Sequence, residues 1–395
     1  MQLSIFVHCA SDYLTDYEPH GDGLICFSLL NGLAKRNHDI FAYTKYSAIR
    51  QKDPHLQVQA GGHHRVPFDS LASWEHAQKA DRWLERLSNK HDIDLVWRLH
   101  PYGGGCPTVP KTLGKPLVVG PLFYGWPENK ANKAMMAKPR FGIGIQGLVS
   151  PFAQEGWHRT LQAASLIICA TPKHATAMQT QFPQAQVLCL PVIVDPPAFE
   201  SPLRRQTADE SSVLRLVFVA NLFPNKHPLV FCQAVRLLRY AEINVKVTLV
   251  GEGPERPAVE AYCAEHGLED VVCFKGKIPN AEVERHLRDA DLLVSTSVGE
   301  PYGRSIVEAM SVGVPCICHD SGGPAEIIEH EVDGLLVQEF NAKAFAEAIA
   351  RVYANPQLWQ RLSENAARKA KNWTSEVVLS NLERSLLQVC QPKIS

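Results

Sequence analysis

The chain has 395 residues, of which 45% are hydrophobic and 21% are charged, and its formal net charge is −1 at pH 7. This length suffices for two α/β domains of ordinary size, and the composition is that of a soluble globular protein. The near-neutral charge argues against a nucleic-acid-binding protein, which would carry a basic excess. The 11 cysteines lack zinc-site spacing and no apolar run is long enough to span a membrane, so we expect a cytoplasmic protein with reduced thiols.

The chain opens with a strand–helix–strand pattern, in which the apolar run 3–7 predicts a strand and the run 24–36 predicts a helix. The loop between them ends in Gly21 and Gly23, and glycines at this place either let a ligand approach the helix N-terminus closely or simply form a tight turn. The third glycine of a dinucleotide-binding fingerprint is missing, because Cys26 occupies its position. This departure disfavours a nicotinamide-dependent oxidoreductase.

A second candidate for a functional residue follows the predicted strand 92–99. His100 lies just past the end of that strand, where open α/β sheets bind their ligands, so it is a candidate catalytic residue. A lone histidine is more often structural, and that interpretation stays open. The pair Asp92 and Asp94 has the spacing of a metal-binding D-x-D, but it opens a strand instead of closing one. We therefore predict no metal site there.

The stretch 129–154 contains no acidic residue, whereas Lys130, Lys133, Lys138 and Arg140 make it basic. One interpretation is a solvated basic loop. The other is peripheral contact with anionic lipid at the inner face of a membrane. A lipid-binding test on the whole protein separates the two interpretations.

A proline-rich, charged stretch over 195–212 has neither helical nor strand periodicity and predicts an interdomain linker. We therefore predict a first α/β domain over 1–195 and a second over 196–374. The second domain opens with a strand over 214–221, and Lys226 lies just past its end. A lysine at that place favours phosphate binding over a solvated loop.

The stretch that follows the apolar run 291–296 is the most informative part of the chain. A polar turn there leads into a helix-forming run from Arg304 to Met310, so Glu300 precedes the helix N-terminus and Glu308 lies one turn inside the helix. The unpaired N–H groups and the dipole of a helix N-terminus favour a phosphate. An ionised carboxylate beside a phosphate site suits sugar hydroxyls, because it accepts two hydrogen bonds at once.

This stretch resembles the E-x7-E signature of the retaining glycosyltransferases of family 4. The runs Gly322-Gly-Pro-Ala-Glu326 and Asp333-Gly-Leu-Leu-Val337 follow at the distances usual for that family. The resemblance implies the GT-B fold, in which two Rossmann-like α/β domains face each other across a cleft. It also implies that the first domain binds the acceptor and the second the nucleotide-sugar donor. The C-terminal helix, 375–395, is then expected to cross back to the first domain.

The resemblance implies roles for individual residues. Glu300 would hold donor-sugar hydroxyls and support positive charge at C1, and Glu308 would hold the ribose hydroxyls. Lys226 matches the lysine of the family's G-R-L-x-x-x-K-G run, which clamps the diphosphate, but Asn221 stands where that run has arginine. The histidine that many relatives carry near Pro121 is also absent. The other predicted donor-binding positions are Gly21, Gly23, Ile278, Tyr302, Gly303, Arg304 and Ser305.

Together these features predict a retaining hexosyltransferase that moves a sugar from a nucleoside-diphosphate sugar to a hydroxyl acceptor. No metal or other cofactor is expected, because Lys226 and the helix N–H groups can neutralise the leaving diphosphate. Two alternatives share the fold: a nucleotide-sugar epimerase and a non-catalytic nucleotide-sugar-binding protein. The second alternative is kept because the arginine and histidine named above are absent.

Overall fold

The computed structural model describes residues 1–9, 11–18, 21–62, 69–99, 109–122, 155–195 and 213–391. Contacts divide the chain into two compact units, one made of Met1–Ile193 with Ser375–Ser395 and the other of Val194–Thr374. Each unit contains a parallel sheet with helices in the connections, so the predicted α/β class is confirmed. No helix in the described ranges combines the length and the apolar character needed to cross a membrane.

The first unit contains a seven-stranded sheet in the order β5-β3-β1-β6-β7-β8-β9, and a two-stranded sheet that pairs β2 with β4. The five inner strands of the large sheet are mostly buried, because helices cover both faces of a parallel sheet, whereas the two outer strands are more exposed. The strands are β1 (Ser4–His8), β2 (Tyr13–Thr15), β3 (Asp39–Thr44), β4 (Tyr46–Ala48), β5 (Leu56–Ala60), β6 (Leu95–Arg98), β7 (Leu117–Leu122), β8 (Leu166–Cys169) and β9 (Gln186–Cys189). The helices are α1 (Gly21–Ala34), α2 (Asp69–Ser88), α3 (155–162) and α4 (Pro172–Gln181).

The glycines that precede the predicted first helix are placed differently from the prediction. Helix α1 begins at Gly21, so Gly21 and Gly23 lie in its first turn and not in the preceding loop. Asp22 lies between them, and an acidic residue in the first turn interacts favourably with the helix dipole. This interaction favours a helix start three residues before the apolar pattern begins.

The second unit contains a six-stranded sheet in the order β12-β11-β10-β13-β14-β15, in which every pairing is parallel. Its strands are β10 (Leu214–Val219), β11 (Val245–Val250), β12 (Val272–Gly276), β13 (Leu292–Ser295), β14 (Cys316–His319) and β15 (Gly334–Val337). Its α-helices are α5 (Pro228–Tyr240), α6 (Arg256–Glu265), α7 (Asn280–Arg288), α8 (Arg304–Ser311), α9 (Pro324–Ile327), α10 (Ala342–Tyr353) and α11 (Pro356–Ala370). Short 3₁₀ turns occur at Pro224–Lys226 and Lys371–Trp373.

Strand β13 is anchored at its start by a buried aspartate. The Asp291 carboxylate accepts a hydrogen bond from the Arg215 backbone N–H at 2.7 Å and lies 3.1 Å from the Arg215 guanidinium. The Asp291 backbone oxygen accepts from the Trp359 indole at 2.6 Å, which ties helix α11 to the strand. These bonds satisfy buried polar groups, so they fix the strand that leads to Glu300.

The C-terminal helix α12 (Ser375–Cys390) belongs to the first unit. The Glu383 carboxylate lies 2.9 Å from the Arg36 guanidinium and 3.2 Å from the His38 ring. Burial raises the pKa of Glu383, but the hydrogen bonds from Arg36 and His38 outweigh burial and leave that pKa below its ordinary value. The charged form of Glu383 therefore stabilises this helix on the first unit.

Candidate active site in the second unit

Two loops of the second unit are joined by hydrogen bonds at the carboxyl ends of neighbouring strands β10 and β13. The buried Thr296 hydroxyl donates to the backbone oxygens of Lys226 and His227, at 2.8 and 2.9 Å. The Val298 N–H donates to the Asn225 backbone oxygen at 3.0 Å. The loop that carries Lys226 is thus held against the loop that carries Glu300.

The Lys226 ammonium contacts the Glu300 carboxylate in a salt bridge. The two side chains are only 16% and 18% exposed, so the pair is shielded but still reachable by a ligand. Cys318 lies near the pair, and its burial, with the Glu300 charge adding to it, raises the pKa of the Cys318 thiol. The structure therefore brings together a cation and an anion that the sequence predicts separately.

Helix α8 begins immediately after Gly303, which has φ +104°. A Cβ atom at this position would lie 2.7 Å from the Ile306 Cδ1 atom, so both the backbone angle and the space favour glycine. Glycine brings no capping side chain, and the N–H groups of Arg304 and Ser305 therefore open the helix without a side-chain cap. Such a helix N-terminus suits a phosphate group.

The Gly322–Gly323 run fixes the backbone around Glu300. A Cβ atom would lie 2.5 Å from the Glu300 backbone oxygen at Gly322 and 2.3 Å from the Tyr302 backbone oxygen at Gly323. The Gly323 N–H donates to that same Glu300 oxygen at 2.8 Å. Any side chain here would push the Glu300 segment away, so the two glycines shape the site without themselves supplying chemistry.

Glu308 is held by a neighbour on its own helix. The Arg304 Nε atom lies 2.8 Å from the Glu308 Oε1 atom, and these side chains are 25% and 17% exposed. Arg304 therefore orients Glu308, and the donor contact predicted for Arg304 stays a prediction. The Asp333 carboxylate of the D-G-L-L-V run accepts from the Glu329 N–H at 2.8 Å and pairs with Lys369 at 2.7 Å. That aspartate stabilises a turn.

Comparison with known families identifies the part of the chain that carries this site. Residues 201–369 match the family model described as Glycosyl transferases group 1. The matched range includes Lys226, Glu300 and Glu308, so all the residues of the site described above belong to the part of the chain that resembles group 1 glycosyltransferases.

Curated relatives align over parts of the chain. The chain is 27% identical over 227 residues to D-inositol 3-phosphate glycosyltransferase of Pseudarthrobacter chlorophenolicus, an alignment that covers 55% of this chain and 54% of that protein. It is 25% identical over 317 residues to alpha-D-kanosaminyltransferase of Streptomyces kanamyceticus, covering 76% of this chain and 78% of that protein. The chain thus spans about half the length of the first of these relatives.

Solved structures share the fold over nearly the entire chain. Sucrose-phosphate synthase from Thermosynechococcus elongatus superposes with a TM-score of 0.71 at 18% identity, covering 98% of this chain and 99% of that one. Anabaena Alr3699/HepE in complex with UDP and glucose superposes with a TM-score of 0.66 at 20% identity, covering 98% and 100%. The predicted GT-B type of fold is confirmed by these superpositions.

Three other predicted donor positions, Asn221, Ile278 and Tyr302, also lie inside the matched range. Asn221 is exposed after strand β10, and the Leu222 N–H beside it donates to the Glu252 backbone oxygen at 2.8 Å. Ile278 follows strand β12 and is half-buried, whereas Tyr302 is buried next to Gly303. Their contact with a donor stays a prediction.

Some predicted positions lie outside the second unit or outside the described residues. Gly21 and Gly23 belong to the first unit. His100 and the basic stretch 129–154 lie outside the described residues. In the described ranges, no group of three His, Cys, Asp or Glu side chains is arranged to hold a metal ion.

Two histidines beside the site are not indicated by the sequence patterns described above. His227 has φ +48° and occupies the position where the family run K-G has glycine. His319 ends strand β14 and hydrogen-bonds the Ser321 hydroxyl at 2.8 Å. A histidine in place of a family glycine, directly after Lys226, was the signal that could have identified the first of them.

Proposed function

We propose that this protein is a glycosyltransferase that moves a hexose from a nucleoside-diphosphate sugar to an acceptor hydroxyl, with retained anomeric configuration and without a metal ion. One observation carries the proposal: the Lys226 ammonium and the Glu300 carboxylate meet in the loop that opens helix α8. A cation and a helix N-terminus suit a diphosphate, and a carboxylate suits sugar hydroxyls. The group 1 glycosyltransferase match supports the same reaction class.

The leaving group receives its stabilisation from Lys226 and helix α8. Breaking the bond between C1 and the phosphate oxygen moves negative charge onto the β-phosphate. The N–H groups of Arg304 and Ser305 and the Lys226 ammonium are then the donors nearest to that charge. An ammonium has three N–H donors, so Lys226 can contact the phosphate and still keep a bond to Glu300.

Glu300 acts on the sugar. As C1 loses its bond to the diphosphate it becomes electron-poor, and a carboxylate nearby stabilises that positive charge. The acceptor oxygen forms the new bond to C1 on the face that the diphosphate vacates. The acceptor proton passes to the leaving diphosphate, so the products are the glycoside and a protonated nucleoside diphosphate.

The reaction is tested by donor turnover in the presence of acceptors. The Anabaena structure named above contains UDP and glucose, so UDP-glucose is the first donor to try, followed by the GDP- and ADP-sugars. We expect release of nucleoside diphosphate with chelator present, and NMR of the glycoside should show the donor's anomeric configuration. Donor conversion without acceptor would instead favour an epimerase, and a thermal shift without turnover a binding protein.

Replacing Glu308 with alanine is expected to weaken nucleoside-diphosphate binding by about 10-fold, with kcat nearly unchanged. The reason is that ribose hydroxyls are held equally in the ground state and the transition state, so their loss raises Kd and KM together. Calorimetric titration with UDP, alongside steady-state kinetics, measures both quantities.

Glu347→Ala is the matched control for this variant. Glu347 also forms an (i, i+4) pair, with Lys343 at 3.7 Å, but that pair is exposed on helix α10. Its loss should leave both UDP affinity and turnover unchanged. A Glu308→Ala protein that binds UDP as tightly as the wild type would remove Glu308 from the donor site.

A further inference from the structure

The loop that follows strand β14 holds the backbone of the Glu300 segment through a serine. The Gly299 N–H, one residue before Glu300, donates to the Ser321 hydroxyl oxygen at 3.3 Å. The same hydroxyl lies 2.8 Å from the Nδ1 atom of His319. A serine hydroxyl has one proton and two lone pairs, so it can accept from Gly299 while donating to the imidazole. The imidazole thus fixes the rotation of the hydroxyl that holds Gly299.

An aromatic ring joins this serine contact to the loop of Lys226. The Phe340 ring contacts two histidine rings, with centroid distances of 5.0 Å to His319 and 4.7 Å to His227. Both contacts are edge-to-face, at 74° and 64°, which is a favoured arrangement for aromatic rings. His227 directly follows Lys226 and has its backbone oxygen bound by Thr296. A continuous chain of contacts therefore runs from Gly299 to the lysine loop.

We propose that His319 is a positioning residue for Glu300, acting through the Ser321 hydroxyl and the Gly299 N–H, and that Phe340 couples it to the loop of Lys226. The inference rests on the proposed function, because it concerns the geometry of the same cation and anion. Histidine suits this position because its ring packs edge-to-face against Phe340 and also carries a hydrogen-bonding nitrogen. Phenylalanine supplies only the packing, and asparagine supplies only the hydrogen bond.

The protonation state of His319 matters for this contact. Burial lowers the pKa of His319 below its ordinary value of 6.5, and it outweighs the Asp320 charge and a hydrogen bond to the Gln338 backbone, which both act in the opposite direction. Burial also lowers the pKa of the neighbouring His227 below its ordinary value, although the Glu255 charge acts in the opposite direction. Above pH 6.5 both rings are neutral and His319 can accept from Ser321. As the pH falls through the lowered pKa, the Nδ1 atom becomes a donor and the direction of that bond must reverse.

Three variants separate hydrogen bonding from packing. His319→Phe keeps the packing on Phe340 but removes the hydrogen bond to Ser321. Ser321→Ala removes the hydroxyl that accepts from the Gly299 N–H. His319→Asn keeps a polar atom near the Nδ1 position but removes the aromatic ring. We expect kcat to fall about 10-fold in the first two, with the donor KM within about twofold, and His319→Asn to recover most of the rate. The double variant of His319→Phe and Ser321→Ala should have the same kcat as Ser321→Ala alone, because both substitutions break the same chain of hydrogen bonds to Gly299.

Two further measurements distinguish a positioning role of His319 from a purely structural one. Amide hydrogen exchange in peptides covering 298–302 should rise in His319→Phe and Ser321→Ala, and return toward wild type in His319→Asn. When His319 is protonated, the Ser321 oxygen accepts from both the imidazolium and the Gly299 N–H, which weakens the bond to Gly299, so wild-type kcat should fall as the pH drops through the lowered pKa of His319. This fall should be weaker in His319→Asn, because asparagine does not titrate. His330→Phe is the control, since the His330 Nδ1 atom is likewise a hydrogen-bond acceptor, for the Leu336 backbone N–H at 3.0 Å, but its ring is half exposed.

The proposal is overturned if His319→Phe and Ser321→Ala keep wild-type exchange over 298–302, or if their kcat stays unchanged while only the melting temperature drops. If the wild-type protein transfers no sugar from any donor, the proposed function fails instead. Hydrogen exchange then still decides whether His319 and Ser321 hold the Glu300 segment, because that measurement needs no substrate.

Discussion

Replacing Glu300 with glutamine is expected to lower kcat by about 100- to 1000-fold, while the donor KM changes by no more than about threefold. Glutamine has nearly the same shape and can still hydrogen-bond the sugar hydroxyls, so ground-state binding survives. It lacks the negative charge that stabilises the electron-poor C1 atom. The substitution therefore removes stabilisation of the transition state and leaves binding of the donor nearly unchanged.

The kinetics of this variant are read beside its UDP affinity and melting temperature. Glu300 is only 18% exposed and contacts Lys226, so glutamine leaves that ammonium without its anion and can change UDP binding slightly in either direction. Glu284→Gln is the control, because it breaks an (i, i+4) pair with Arg288 at 2.7 Å on helix α7. A Glu300→Gln enzyme with wild-type kcat would show that Glu300 supports no charge at C1.

Local patterns in the sequence were enough to place the main site residues on the correct elements. The helix that opens after Gly303 was predicted from a turn followed by helix formers, and the structure starts it at Arg304. This prediction succeeded because a strand, a glycine turn and a helix are each specified by residues close in sequence. The same kind of pattern failed at helix α1, where the apolar period begins after the first helical turn.

The contacts between the loops could not be predicted in the same way. Lys226 and Glu300 are 74 positions apart, and their contact depends on strands β10 and β13 being neighbours in the sheet. Strand order is set by packing over the entire unit, and the hydrophobic periodicity of a short stretch of sequence does not determine it. The support from His319 and Ser321 comes from a third strand, β14, and was missed for the same reason. The sequence thus indicates which residues carry charge, and the topology decides which of them meet.

Replacing Lys226 with alanine is expected to reduce kcat/KM by about 100- to 1000-fold and to raise the Kd for UDP by about 10-fold. The charge of Lys226 acts on the diphosphate both when the donor binds and when the C1–O bond breaks, so binding and turnover are both affected. Lys226→Arg keeps the charge but spreads it over a planar fork, and should recover part of the UDP affinity with less of kcat. UDP titration and steady-state kinetics measure the two effects.

The double variant Lys226→Ala with Glu300→Gln tests whether the pair acts as a unit. If Lys226 stays bound to Glu300 during turnover, each single change already disturbs both groups, and the double variant loses less activity than the product of the two single losses. If the diphosphate takes Lys226 away from Glu300, the two effects should multiply. Losses that multiply would therefore mean that the contact between Lys226 and Glu300 is broken when the donor binds. A Lys226→Ala enzyme with wild-type UDP affinity would instead place the diphosphate elsewhere and contradict the donor site described above.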